Sequence, residues 1–318
     1  MKPVCLNLEE CNGLGDLICA TPTIKKLHDS YQRKIIVLSK MPELFKMNPY
    51  VEASYKAASV DMDWFKKNAI VHNSFYLVGK KDERGIEMKH NMMDIRQFHA
   101  IHLGFMLTKD EMECYYRPTE EDECTFGFSD KSTSGTKRYI VIHPVNSWPN
   151  RTWSQDNWLN LSKELVKLGY NVVAIGKDSS ETGFFNVDKP VHDMGGGYLT
   201  NLMNQTSISQ TWHIINSAAA VITMDSGILH LAGTTATPIV ELGSPINPEF
   251  RTPHRKEGKH IYVRGGCGLH CSSNMKYALE YWPTIDYVQP LIECLEKKET
   301  YECHPSVAQV IHTINTNL

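Results

Sequence analysis

The run Thr223–Gly233, TMDSGILHLAG, places an aspartate, a serine and a glycine where an apolar segment gives way to a helical pattern. The first turn of a helix presents unpaired N–H groups and the positive end of its dipole, which together favour an anion. Gly227 lets an oxygen approach the backbone closely, and the Ser226 hydroxyl can donate to the same oxygen. Asp225 would repel a phosphate, so it reads as a helix cap or as the acceptor for a sugar hydroxyl. Ile228 continues the turn, and His230, four residues after Ser226, projects from the same face. The plainer alternative is a capped strand–helix turn with His230 packed in the core. A second group is HPVNSWPNRTWSQDNW, His143–Trp158. Arg151 is its cation, and a guanidinium fork matches phosphate oxygens. Asn146 and Ser147 are read as polar residues of the ligand-facing loop. The alternative for Arg151 is a surface side chain stacked on Trp153. A third group, GLGD at Gly13–Asp16, brings a carboxylate to the end of the first apolar run. Ile18 stands where a dinucleotide fingerprint needs its third glycine, so that motif is incomplete. Asp16 is either a helix cap or a carboxylate presented to a ligand, and Thr21-Pro22 offers a second helix start with Thr21 as cap.

These residues need strands that end where they stand. Pro3–Leu8 and Lys34–Ser39 read as strands with a helix between them through Ile24, Leu27 and Tyr31, the opening of a parallel α/β sheet. NAIVHNSFYL reads as a strand, and Met88–Leu107 as one long helix with Met92, Ile95, Phe98 and Ile101 on its buried face. The polar stretch Phe128–Arg138 reads as the linker. After it, RYIVIHP, NVVAIG, AVITM and PIVELG are unbroken apolar runs, the mark of strands covered on both faces. Helices are expected over Trp158–Leu168, Ser207–Asn216 and Gly227–Thr234. Loops at the C-terminal ends of such strands form the ligand crevice. The expected architecture is α/β with two Rossmann-like domains, an N-terminal one over 1–130 and a C-terminal one over 131–318, with the last helix able to pack back on the first.

A chain of 318 residues fits two domains, and 42% apolar with 22% charged residues is ordinary for a globular protein. A net charge of −3 offers no overall field to gather nucleic acid or anionic lipid. No stretch approaches the roughly 18 apolar residues that span a bilayer. Nine scattered cysteines suggest a reducing, cytoplasmic setting with buried thiols. Cys267, Cys271, Cys294 and Cys303 leave three readings open: a structural zinc site, a disulfide, or packed free thiols. No Asp-x-Asp pair accompanies the candidate phosphate motifs; Asp61/Asp63 and Glu120/Asp122 both fall in the first half.

With these motifs in view, the chain resembles glycosyltransferase family 9, the heptosyltransferases of lipopolysaccharide core assembly. The resemblance runs through GLGDLICATPTIKKL, through HPVNSWPNRTWSQDNWLNLSKELVKLGYNVVAIGKDSSE, and through ITMDSGILHLAGTTATPIVELGSP. The late cysteines resemble a tail found in part of the family. The resemblance implies a GT-B fold, with the two domains facing across a cleft, and inverting transfer from a nucleotide-diphosphate sugar such as ADP-heptose to an acceptor hydroxyl, without a metal cofactor. It makes Asp16 the general base, with Gly13 and Gly15 shaping its loop. Asp225, Ser226, Gly227, Ile228 and His230 then hold the donor, and Arg151 stands for the family's phosphate-contacting lysine. Val145, Thr152 and Thr223-Met224 depart from the family pattern. The alternatives are a transferase acting on a protein, a metabolite or a modified DNA base, a nucleotide-diphosphate binding protein without transfer, and an epimerase of the same architecture. His90 and His99 are the reserve candidates for the base.

Overall fold

The structure is a computed structural model, and it describes residues 2–11, 13–74, 93–119, 138–145, 149–177, 199–271, 294 and 301–318. The chain divides into two compact units: Met1–Glu121 with Glu249–Lys256, and Asp122–Pro248 with Glu257–Leu318. The boundary expected at residue 130, and all of the expected linker except Arg138, lie outside the described residues. The return of Glu249–Lys256 to the first unit is not foreshadowed in the sequence. Within that unit His254 Nε2 lies 3.1 Å from Asp94 Oδ2, and the fully buried Arg96 donates to the same carboxylate from Nε at 2.7 Å.

Unit 1 holds a four-stranded parallel sheet of β1 (Val4–Asn7), β2 (Ile35–Ser39), β3 (Val51–Lys56) and β4 (Ile70–Asn73), in the order β3-β2-β1-β4. The chain first builds outward from β1 through β2 to β3, then crosses to place β4 on the other side of β1. Its helices are α1 (Leu14–Cys19), α2 (Thr21–Tyr31), α3 (Met62–Asn68) and α4 (Ile95–Ile101). Cys5, Leu38, Phe65 and Ala69 form a buried cluster between α3 and the sheet. Two expectations are corrected here. The long helix over Met88–Leu107 ends at Ile101, because Gly104 takes a φ of +82° and Phe105 N–H donates back to the Ala100 carbonyl at 3.0 Å. That is a glycine-terminated C-cap, which an apolar periodicity running past it conceals. Thr21 does not cap α2 either. It is the first helical residue, and its hydroxyl donates to the Ile18 carbonyl at 2.7 Å.

Unit 2 holds six parallel strands: β5 (Tyr139–Ile142), β6 (Asn171–Ala174), β7 (Leu199–Asn201), β8 (Ala220–Thr223), β9 (Ile239–Leu242) and β10 (His260–Val263). Their order is β10-β9-β8-β5-β6-β7. From β5 the chain winds outward to β6 and β7, then crosses back and winds the other way from β8. Every residue of β5, β8 and β9 is buried, including Glu241 of β9, whose Oε2 lies 2.8 Å from His260 Nε2. The helices are α5 (Gln155–Lys167), α6 (Ile208–Ser217), α7 (Gly227–Ala232) and α8 (Val307–Asn317). In α5, Trp158, Leu161 and Leu165 recur every three to four residues and enter the core, and Ser154 caps its first turn. In α6, Ser207 and Gln210 form a reciprocal capping box. The last helix, α8, belongs to unit 2, where Val310 and Ile314 join the same core.

Candidate functional site

In unit 2 the order of strands reverses between β5 and β8, and the edge beyond the C-terminal ends of two such strands is where α/β sheets bind ligands. Both phosphate-directed motifs leave the sheet at that edge. Pro149–Arg151, a single 3-10 turn, belongs to the connection after β5; Met224, Asp225 and Ser226 follow β8. Arg151 Nη1 lies 3.0 Å from Asp225 Oδ2, and the Asp225 and Arg151 side chains are 3% and 17% exposed. Arg151 is therefore not the surface side chain of the alternative reading, and Trp153 is buried edge-on against Trp158, with ring centroids 5.0 Å apart. His230, also buried, has Nε2 4.0 Å from Asp225 Oδ1. Asp225 is thus paired with an arginine on one side and faces a histidine on the other.

Ser226, rather than Asp225, caps α7. Its hydroxyl accepts from Leu229 N–H at 3.4 Å and lies 3.1 Å from Thr223 Oγ1. Gly227 is the first residue of α7, and Ile228 is buried one position on. His143, which no residue-level argument singled out, stands 3.2 Å from Ser226 Oγ and 3.3 Å from Thr223 Oγ1. Burial pushes its pKa down to about 4, so its ring is neutral near pH 7. A side chain at Gly176 would meet that ring at 2.9 Å. His-Pro at the end of a strand was the available signal. Asn146 and Ser147 lie outside the described residues.

In unit 1 the order reverses at β1/β4, and α1, which carries Asp16, follows β1. Asp16 is half-buried in the first turn, and its carboxylate folds back over Gly13. A Cβ at position 13 would lie 2.7 Å from Asp16 Oδ2, which explains the glycine there; Gly15 is buried within the helix. Beneath this turn, His99 Nδ1 lies 2.8 Å from Ser74 Oγ. Burial pushes its pKa down to about 3. His99 is fully buried, so its ring meets no solvent or substrate surface in this structure. His90 lies outside the described residues.

The acidic pair Asp61/Asp63 has a local explanation: Asp61 caps α3, accepting from Asp63 and Trp64 N–H at 2.9 and 3.0 Å. Glu120/Asp122 lie outside the described residues. The late cysteines sit within electrostatic reach of one another, and burial pushes the Cys303 thiol up to about 12. Among the described residues no group of three or more His, Cys, Asp or Glu is placed to hold a metal ion. No described helix is long and apolar enough to cross a membrane.

The sequence profile of glycosyltransferase family 9 (heptosyltransferase) matches residues 80–278, more than half of the chain. The chain belongs to glycosyltransferase family 9. Lipopolysaccharide heptosyltransferase 2 of Salmonella typhimurium is 28% identical over 147 residues, which are 46% of this chain and 42% of that one. Its Escherichia coli counterpart matches at the same identity and coverage. The chain thus spans less than half the length of the curated relatives it matches. Among solved structures, a family 9 glycosyltransferase from Veillonella parvula aligns at a TM-score of 0.66 and 16% identity, over 99% of this chain and 96% of that one. ADP-heptose lps heptosyltransferase II of E. coli aligns at 0.61 and 18%, over 99% and 98%. The dodecameric iron-containing heptosyltransferase TibC of enterotoxigenic E. coli, in complex with ADP-D-beta-D-heptose, aligns at 0.71 and 15%, over 99% and 76%. These likenesses show the fold: this family 9 chain is an α/β protein of the GT-B class.

Proposed function

We propose that this family 9 chain transfers a heptose from ADP-heptose to an acceptor hydroxyl with inversion at the anomeric carbon. The observation that carries the reading is the Arg151–Asp225 pair at the β5/β8 reversal, 3.0 Å apart and largely buried. It supports a donor site with a cation for the diphosphate and a carboxylate oriented for a sugar hydroxyl. In this reading Arg151, Ser226 and the backbone at Gly227 stabilise the leaving diphosphate, while Asp225 and His230 fix the sugar. Asp16 of unit 1 takes the proton from the acceptor oxygen as that oxygen bonds to the anomeric carbon and the diphosphate leaves. The relatives named as heptosyltransferases, and the ADP-heptose bound to TibC, favour this donor. The acceptor class is a glycan hydroxyl, and a cytoplasmic setting follows from the scattered free thiols.

We further propose that the transfer step needs no metal, because the arginine and the helix start supply the charge stabilisation and the Asp61/Asp63 pair is engaged as a helix cap. The test is incubation of the purified protein with ADP-heptose and a lipopolysaccharide core acceptor, with and without EDTA. Release of ADP with formation of an inverted glycoside in both arms is expected. Loss of turnover in EDTA and recovery with Mn²⁺ would contradict metal independence, and release of ADP without any glycoside would contradict transfer.

A further inference from the structure

The residues on either side of Arg151 are tied to one short stretch near the C-terminus. The Asn150 carbonyl accepts from His304 Nε2 at 2.8 Å, and the Trp153 indole N–H donates to the Pro305 carbonyl at 2.9 Å. Asn150 and Trp153 are both buried. The stretch is itself held by the sheet: Gly265 N–H donates to the Cys303 carbonyl at 3.0 Å, and Cys267 N–H to the Glu302 carbonyl at 3.2 Å. A side chain at Gly243 would meet the Cys303 carbonyl at 2.5 Å, and one at Gly265 would overlap the Glu302 and His304 carbonyls. Just beyond, Ser306 opens α8, which packs on α5, and α5 begins one residue after Ser154, the neighbour of Trp153. The turn that carries Arg151 is therefore pinned at position 150, at position 153 and through the helix that follows.

Such pinning has a consequence for ligand binding. Arginine carries many rotamers, and a charged contact made from a mobile loop loses much of its value to the ordering it requires. A backbone fixed before the ligand arrives removes part of that cost. We propose that His304 is a positioning residue for the nucleotide-sugar donor, acting through the Asn150 carbonyl to hold the Arg151 turn against the β5/β8 edge. The inference rests on the reading of Arg151 as the cation for the donor diphosphate. His304 then touches no substrate, and the segment 301–306 is part of the donor site's frame although it lies about 150 residues from it in sequence, the separation the two hydrogen bonds show.

The test is calorimetric titration of ADP into the full-length protein and its variants, with thermal unfolding recorded on each. His304→Ala is expected to weaken ADP binding by about three- to tenfold, the worth of one hydrogen bond. His304→Gln, whose amide N–H can stand in for Nε2, is expected to recover most of it. In an Arg151→Ala background His304→Ala is expected to cost less than about twofold more, because coupled residues do not add. Trp153→Phe keeps an aromatic ring but removes the bond to Pro305 together with part of the buried indole; it serves if His304→Ala does not fold, and it too should weaken ADP. A folded His304→Ala that binds ADP within twofold of the parent overturns the inference, as do effects of the two variants that multiply, a glutamine variant no better than alanine, or an unchanged Trp153→Phe. If instead Arg151→Ala itself leaves ADP binding unchanged, the reading of the donor site fails first, whatever His304→Ala does.

Discussion

The two units hold their candidate residues by different means. In unit 2, Arg151 and Asp225 come from separate connections, after β5 and after β8, and fix each other as an ion pair with little exposure. In unit 1, Asp16 stands in the first turn of a six-residue helix, where a side chain at position 13 would meet its carboxylate at 2.7 Å. The first arrangement depends on the tertiary fold, and in the proposed reading its fixed geometry suits a charged ligand. The second keeps a carboxylate half-exposed, as a base that meets a substrate needs. Both stand where the strand order of their sheet reverses, so the same topological rule places two chemically different devices.

The largest expected effect falls on unit 1. Asp16→Ala should retain ADP binding and lose about 10²–10⁴ in turnover, the usual contribution of a general base. Asp16→Asn sharpens the result, because asparagine caps a helix as well as aspartate does but takes no proton at neutral pH. An asparagine variant with near-normal turnover would show that Asp16 is only a cap.

In unit 2 the corresponding change strikes stability. Asp225→Ala leaves the Arg151 guanidinium largely buried beside an empty position, which should cost about 3 kcal/mol in denaturant unfolding. A variant as stable as the parent would mean that the pair is not formed in solution.

Acid should weaken both units through buried histidines. Burial holds His143 and His304 of unit 2 near 4 and His99 of unit 1 near 3, against 6.5 for an ordinary imidazole. Between those values the unfolded chain binds more protons than the folded one. Stability is therefore full above about pH 6.5 and falls as the pH drops towards 4, by on the order of 3 kcal/mol for each histidine. Replacing His143 with Gln should flatten that slope in a urea series, and an unchanged slope would show that His143 titrates normally.

Two smaller effects complete the comparison. Gly13→Ala should displace the Asp16 carboxylate and lower turnover by about tenfold, roughly 1.4 kcal/mol of lost alignment, while leaving ADP affinity alone. Asp61→Asn should change stability by only about 0.5 kcal/mol or less, since asparagine is an equally good cap, and should leave activity untouched. Loss of activity there would reopen a metal role for the Asp61/Asp63 pair.

How far the sequence reached differs by element. Four of the six strands of unit 2, β5, β6, β8 and β9, were legible because strands buried on both faces leave largely apolar runs, whereas the edge strands β7 and β10, only partly buried, left no such run. The D-S-G and GLGD turns were legible because helix starts carry local signals. α4 was overdrawn because the apolar period continues past Gly104, where the backbone stops it. The return of Glu249–Lys256 to unit 1 and the tie between His304 and Asn150 left no local trace, since both join segments about 150 residues apart. His143 stood in plain view in its His-Pro pair, yet only its position 3.2 Å from Ser226 gives it a part in the site.

The claim on which the rest depends is that unit 2 binds a nucleoside diphosphate at the β5/β8 reversal, and it is tested most directly by titrating ADP into the parent protein and into Arg151→Ala. The account predicts saturable binding by the parent, weakened by about 1.5–3 kcal/mol in the variant, the worth of a charge-assisted hydrogen bond. Equal binding by both proteins, with the variant folded, would contradict it.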